Sequence, residues 1–181
     1  MKAYKNILIA VGGTGGHVIP GYSLANYLLK KNFKVNIVTD KRGLKFLKNF
    51  PSSKLKIISS ATIFVKKPLK MILSIFIIFF AFLKSLIFLI NSKPNIIIGM
   101  GGYASFPICL AGKFLGIPFV LYENNLFLGK TNRYLLPFSK KIFSSYPDLE
   151  GVKKKYKSKI FVCGNIIREE ILAYSQKKKK K

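Results

Sequence analysis

Residues 7–17, ILIAVGGTGGH, lead an apolar, β-branched segment straight into four glycines, a threonine and the only histidine of the chain. Glycines lack Cβ, so backbone N–H groups in such a loop can approach a ligand closely, and a helix starting near His17 adds its partly positive N-terminus. The stretch predicts a strand, an anion-holding turn and a helix. Two commoner phosphate loops are excluded. G-x-G-x-x-G read from Gly13 and Gly15 needs glycine where Val18 stands, and no Gly-Lys-Ser/Thr follows to make a P-loop.

Outward from this unit, β-branched apolar runs recur at 34–39, 55–59, 95–99, 118–122, 141–144 and 159–163, after the first at 6–11. Segments of helical length separate most of them, and helices are expected over 17–31, 42–49, 68–91, 104–115, 126–137 and 167–175. This alternation is that of an α/β domain, a Rossmann-like parallel sheet with crossover helices. Continuous rather than alternating apolarity within the runs says that both sheet faces are covered. At 181 residues, half of them apolar, one substantial domain is expected, with the terminal lysine run as a solvated tail.

The formal charge of +26 arises from 32 Lys+Arg against 6 Asp+Glu. Such a field favours anionic partners, whether nucleic acid, acidic lipid or phosphorylated substrates; an AT-rich coding sequence produces the same lysine bias without selection for binding. No stacking platform or nucleic-acid motif accompanies the charge, so no nucleic-acid partner is expected. Cys109 and Cys163 are too few and too far apart for a disulfide framework or a Cys-x-x-Cys metal site. With a strand rather than a signal peptide at the N-terminus, the chain reads as cytosolic with reduced thiols.

MILSIFIIFFAFLKSLIFLI, residues 71–90, is apolar apart from Ser74, Lys84 and Ser85. Its length permits a transmembrane helix. Lys84 within the span, and a strand of the same sheet beginning at Asn95, favour instead a helix packed on the sheet with a greasy outer face. Flanking Lys66, Lys67, Lys70 and Lys84 can then snorkel to phosphate headgroups. A buried core helix is the third arrangement.

Four unusual loops each follow a predicted strand: GGTGGH (12–17), GMGGYASFP (99–107), ENNLFLGKTNR (123–133) and GNIIRE (164–169). In an open parallel sheet, loops after strands share one edge, where ligands bind. One carboxylate, Glu123, lies in the first three loops, whereas hydrolysis of a glycoside by the usual route needs two. With neither an Asp-x-Asp pair nor a His/Cys cluster, no catalytic metal is expected. One histidine, one acid, an anion-binding backbone and several amides suit group transfer between phosphate-linked substrates. His17 at a helix N-terminus is disfavoured as a cation, which fits a general base; a capping role is its alternative, as loop anchoring is for Glu123.

GGTGGHVIPG (12–21), IIIGMGGYASFP (96–107), ENN with GKTNR (123–125, 129–133) and GNIIRE (164–169) resemble, in order and spacing, the N-terminal half of the bacterial MurG family, over residues 5–170. The resemblance implies one half of a GT-B glycosyltransferase, inverting and without metal or cofactor. Its substrates would be UDP-GlcNAc and the undecaprenyl-diphosphate-linked MurNAc-pentapeptide, lipid I, with GlcNAc passing to the MurNAc 4-hydroxyl. It implies a peripheral enzyme on the cytoplasmic face of the inner membrane, in contact with anionic lipids. His17 and Glu123 would be catalytic. Thr14, Gly15, Gly16, Asn125 and Arg168 would meet the donor. Gly13, His17, Gly101, Gly102, Tyr103, Ser105 and Asn132 would line the acceptor side. Lys70, Ile75, Phe76, Phe79, Phe80, Phe82 and Lys84 would form the membrane face.

Two motifs depart from the family's pattern. His-Glu-Gln-Asn reads Tyr122-Glu123-Asn124-Asn125 here, and Gly-Asn-Pro-Val-Arg reads Gly164-Asn165-Ile166-Ile167-Arg168. The expected organisation is an acceptor and membrane-binding domain over 1–164, then a linker helix start and Lys-rich tail over 165–181, without the family's C-terminal donor domain. A separate donor-binding chain would complete the enzyme. The alternative is a truncated, inactive module that binds lipid diphosphates.

Overall fold

A computed structural model describes residues 6–60 and 68–167. All seven expected strands are present: β1 (Asn6–Ala10), β2 (Lys34–Thr39), β3 (Leu55–Ile57), β4 (Ile96–Gly99), β5 (Phe119–Glu123), β6 (Ile142–Ser144) and β7 (Ile160–Val162). They form one parallel sheet in the order β3-β2-β1-β4-β5-β6-β7. Ile9 pairs with Ile37 on one side and Ile98 on the other. The order reverses between β1 and β4, and a ligand crevice opens where two neighbouring loops part at such a point. Both glycine-pair loops leave the sheet there.

Alternation along β1 feeds two cores. Ile7, Ile9 and Val11 pack under α1 (Gly15–Lys30) with Val18 and Ala25. Leu8 and Ala10 face the opposite layer, where α2 (Pro68–Ser92) and α3 (Ser105–Phe114), the latter with Cys109 buried, cover Ile97 and Leu121. Burial on both faces accounts for the unbroken apolarity of the strands.

Three helix expectations change. Over 42–49 only a 3-10 turn forms, Leu44–Phe46. Asp40 accepts the Gly43 N–H and starts a tight turn, and Pro51 biases Phe50 away from helical geometry. The 126–137 helix shrinks to α4 (Lys130–Leu135), because the chain is still extended at Gly129 and Pro137 closes the far end. The 167–175 helix lies outside the described residues except for Ile167, which is not helical.

Helix α2 is long and apolar enough to cross a membrane by length and composition, yet its C-terminal half is part of the domain. Ala81, Ser85 and Leu89 are buried, and Phe82, Leu86 and Phe88 pack against the same core. Asn6 Nδ2 donates to the Ser92 and Lys93 carbonyls at 2.8 and 3.0 Å, fastening the helix end to β1. From Leu69 to Phe80, by contrast, Ser74 alone is buried. These twelve residues, roughly 18 Å of helix, stand clear of the core with Ile75, Phe76, Phe79 and Phe80 exposed. The helix is therefore part core and part exposed, and not a helix buried along its whole length.

Candidate functional site

The two glycine-pair loops meet back to back at the β1/β4 crevice. Gly101 and Gly102 have φ of +87° and +76°, and a Cβ on Gly102 would overlap the Gly12 carbonyl. A Cβ on Gly12 would in turn lie 2.8 Å from that of Ala104. Glycine is required here by close backbone approach as well as by left-handed geometry. The crevice opens into a cleft of about 230 Å³, lined by both loops together with His17, Arg42, Tyr103, Glu123 and residues 129–132.

Thr14 is the N-cap of α1, extended at φ −99° and ψ 163°, with no side-chain capping bond. Its carbonyl accepts the His17 and Val18 N–H groups. The His17 ring stacks close over Gly101, where an added Cβ would lie 3.0 Å from Nδ1. Nδ1 is buried without a hydrogen-bond partner among the described residues. Burial pushes the imidazole pKa down, against the opposing pull of the Glu123 carboxylate and a Met100 backbone contact. The ring is therefore neutral near pH 7, with a nitrogen available to take a proton.

Pro20 sits inside α1 and has no N–H to give the Gly16 carbonyl. Asn124 Nδ2 donates to that carbonyl instead, at 2.8 Å, tying the loop after β5 to the start of α1. Glu123, 1 % exposed, takes four hydrogen bonds. Oε1 accepts Asn125 N (3.2 Å) and Nδ2 (2.8 Å), while Oε2 accepts Gly129 N (2.9 Å) and Asn132 Nδ2 (3.0 Å). The carboxylate thereby holds the loop and the start of α4 in one shape. Asn132 Nδ2 also reaches the Tyr122 carbonyl at 3.0 Å, leaving buried Oδ1 without a partner among the described residues. The Tyr122 hydroxyl lies 2.8 Å from Ser145 Oγ and accepts the Ile166 N–H at 3.0 Å. This residue, in place of the family's histidine, thus secures the segment that leaves the sheet after β7.

A second cluster stands at the end of β2. Asp40 Oδ2 accepts Arg42 Nη2 (2.7 Å), Arg42 Nε (3.2 Å) and Ser60 Oγ (2.7 Å), and Oδ1 accepts Gly43 N (3.0 Å). Burial alone would raise the Asp40 pKa. The Ser60 hydroxyl, the Arg42 guanidinium and the Gly43 N–H outweigh it and hold the carboxyl below its ordinary value.

Of the residues singled out from sequence, Gly13, Thr14, His17, Gly101, Gly102, Tyr103, Glu123 and Asn132 line the cleft. Four do not. Gly15 and Gly16 form the first turn of α1, where the Phe46 ring covers Gly15. Ser105 is buried, its hydroxyl donating to the Gly102 carbonyl at 2.8 Å, and Asn125 spends its amide on Glu123. Arg168 lies outside the described residues, as do Lys66 and Lys67. On α2, Lys70, Ile75, Phe76, Phe79, Phe80 and Lys84 are exposed. Phe82 departs from the expected membrane face: it is half-buried against the core and edge-on to Phe114 at 5.4 Å. Sequence reasoning missed Arg42, although Asp-x-Arg directly after a strand was a readable sign of a clamped cation at the loop edge.

Comparison with known proteins follows the same lines. The model of the glycosyltransferase family 28 N-terminal domain matches residues 7–144. A UDP-N-acetylglucosamine–N-acetylmuramyl-(pentapeptide) pyrophosphoryl-undecaprenol N-acetylglucosamine transferase of Rickettsia felis is 36 % identical over 171 residues, covering 92 % of this chain and 45 % of the relative. Its namesake in Allorhizobium ampelinum is 34 % identical, covering 94 % and 45 %. The chain thus spans about half the length of these curated relatives. Among solved structures, Acinetobacter baumannii MurG superposes with a TM-score of 0.70 at 24 % identity, over 90 % of this chain and 46 % of that one. UDP-GlcNAc 2-epimerase from Methanocaldococcus jannaschii superposes at 0.62 with 18 % identity, over 88 % and 45 %. These likenesses establish a Rossmann-like half of the GT-B fold.

Proposed function

The chain belongs to glycosyltransferase family 28, whose N-terminal domain it carries, and from that membership we propose that it is the acceptor-binding half of a hexosyltransferase of peptidoglycan synthesis. GlcNAc passes from UDP-GlcNAc to the MurNAc 4-hydroxyl of lipid I, giving lipid II, and a second, donor-binding half completes the site. The observation that carries the reading is the meeting of the two glycine loops at one cleft that His17 and Asn132 also line, with Asn132 Oδ1 unpartnered among the described residues.

In the reaction, the acceptor 4-hydroxyl oxygen attacks C1 of GlcNAc from the face opposite the nucleotide. The C1–O bond breaks with its electron pair leaving on UDP, so the configuration at C1 inverts. The hydroxyl proton goes to His17, a general-base contribution of roughly 10²–10⁴-fold. Thr14, the N-cap of α1, lines the cleft where negative charge develops, at a helix N-terminus that favours it. Asn132 Oδ1 accepts from an acceptor hydroxyl. Glu123 acts as a positioning residue through the four donors it holds.

The standing part of α2 supports a peripheral seat on the cytoplasmic face of the inner membrane. Exposed Phe76, Phe79 and Phe80 enter the acyl boundary, while Lys70 and Lys84 meet anionic headgroups. A second reading, a lipid-diphosphate binding module without catalysis, is favoured by Glu123 and Asn125 being engaged with each other.

Transfer of labelled GlcNAc from UDP-GlcNAc to a lipid I analogue, assayed with a donor-binding half of a family relative added, separates the two. Product that depends on His17 supports the transferase. Lipid I binding without product in any combination supports the module.

A further inference from the structure

Arg42 stands in the wall between two cavities. On one side is the cleft of the glycine loops. On the other, a groove of about 420 Å³ runs between the end of the sheet and α2, lined by Asp40, Lys41, Ile57, Ser59, Ile77 and Lys84. The guanidinium is held from behind, since Asp40 takes Nε and Nη2 and Ser60 Oγ lies 3.3 Å from Nη2. It lies over the Tyr103 ring at 5.8 Å from the centroid, and 54 % of the side chain remains exposed. None of the hydrogen bonds to Asp40 and Ser60 uses Nη1. A cation fixed in this way loses little rotamer freedom on meeting phosphate oxygens, and Nη1 keeps both of its N–H groups for them.

The groove is lined by Asp40, Lys41, Arg42, Ser59 and Ser60 from the segments that leave the sheet, by Ile57 at the end of β3, and by Ile77 and Lys84 of α2. The acceptor of the proposed reaction carries a sugar, then a diphosphate, then a hydrocarbon chain, so with its sugar in the cleft the diphosphate would reach Arg42, which lines both cavities. We propose that Arg42 binds the diphosphate of a polyprenyl-diphosphate acceptor where the two cavities join, and that the groove along Ile57 and Ile77 takes the first prenyl units toward the exposed face of α2. This rests on the acceptor-binding reading above and adds to it the path of the lipid.

The test is binding of the full chain to phosphatidylcholine vesicles carrying polyprenyl diphosphate, against charge-matched vesicles carrying phosphatidylglycerol. The native chain should prefer the diphosphate vesicles. Arg42→Gln should lower that preference roughly tenfold, the scale of one lost charge-assisted contact, with phosphatidylglycerol binding unchanged. Arg42→Lys, which keeps the charge but not the Nη1 donors held in place by Asp40, should fall between. Ser59→Trp fills the groove away from the Asp40 cluster, so it should weaken long-chain polyprenyl diphosphate and spare geranyl diphosphate. It also carries the test should Arg42→Gln disturb folding, which circular dichroism reads.

A native chain that prefers diphosphate vesicles while Arg42→Gln and Ser59→Trp match it overturns this inference alone. A native chain without preference overturns the acceptor reading and this inference with it. A loss in Arg42→Gln seen equally with soluble UDP assigns the guanidinium to the nucleotide and overturns the lipid assignment.

Discussion

At the scale of single residues, His17 and Glu123 occupy one cleft and do different work. His17→Ala is expected to lower kcat/KM by roughly 10²–10⁴-fold in the reconstituted transfer assay, and to remove the acidic limb of the native pH profile. That limb follows from the direction of the pKa shift. Folding holds the imidazole below its free value of about 6.5, so the base is neutral above that pH and is lost as pH falls through its lowered value. The same shift makes the unfolded chain bind protons first. Stability contributed by neutral His17 therefore declines as pH drops below about 6.5 and levels off beneath the folded value. Glu123→Gln sets an amide N–H₂ against the donors of Asn125, Gly129 and Asn132. It is expected to cost about 1–3 kcal/mol in urea unfolding and to reduce activity by loosening the loop, without moving the acidic limb. Gly102→Ala should be worse tolerated than either, because the new methyl meets the Gly12 carbonyl. Proteolysis of the two loops would report their separation.

Among the elements, α2 has the most to test. Replacing Phe76 and Phe79 by Glu leaves the buried Ala81, Ser85 and Leu89 untouched, so the thermal melt should hold while vesicle binding is lost. The same helix shows what the residues declared in advance. Every strand was legible because the two-faced burial of a parallel sheet demands continuous β-branched runs, and the helical length of α2 was legible from twenty nearly unbroken apolar positions. Which face of α2 lies on the core was not, since apolar residues surround the helix on every side and only the placement of α3 decides that Phe82 is covered and Phe80 is not. The short turn at Leu44–Phe46 was hidden because the Asp40 side chain competes for the backbone there, and periodicity does not register such competition. The cleft was readable through its glycines and His17. For Arg42 the Asp40 half of its setting was readable two residues away, while Ser60 and Tyr103 come from two other loops that only folding brings beside it.

Over the whole molecule, charge and grease act at different ranges. The excess of 32 basic over 6 acidic residues attracts anionic vesicles through a field screened beyond about 8 Å at physiological salt. The α2 side chains act only on contact. Raising salt should therefore slow association more than it speeds release, as measured by stopped flow. The Phe76 and Phe79 substitutions should do the reverse. A single helix laid along a surface is an axle, about which a body can roll and carry its cleft nearer to or farther from the lipid phosphates. Phe114 of α3, 73 % exposed and edge-on to Phe82, acts as an outrigger on one side of that axle. Trimming it to alanine should leave the molecule anchored yet free to rock, giving a wider spread of orientations in neutron reflectometry at undiminished surface coverage.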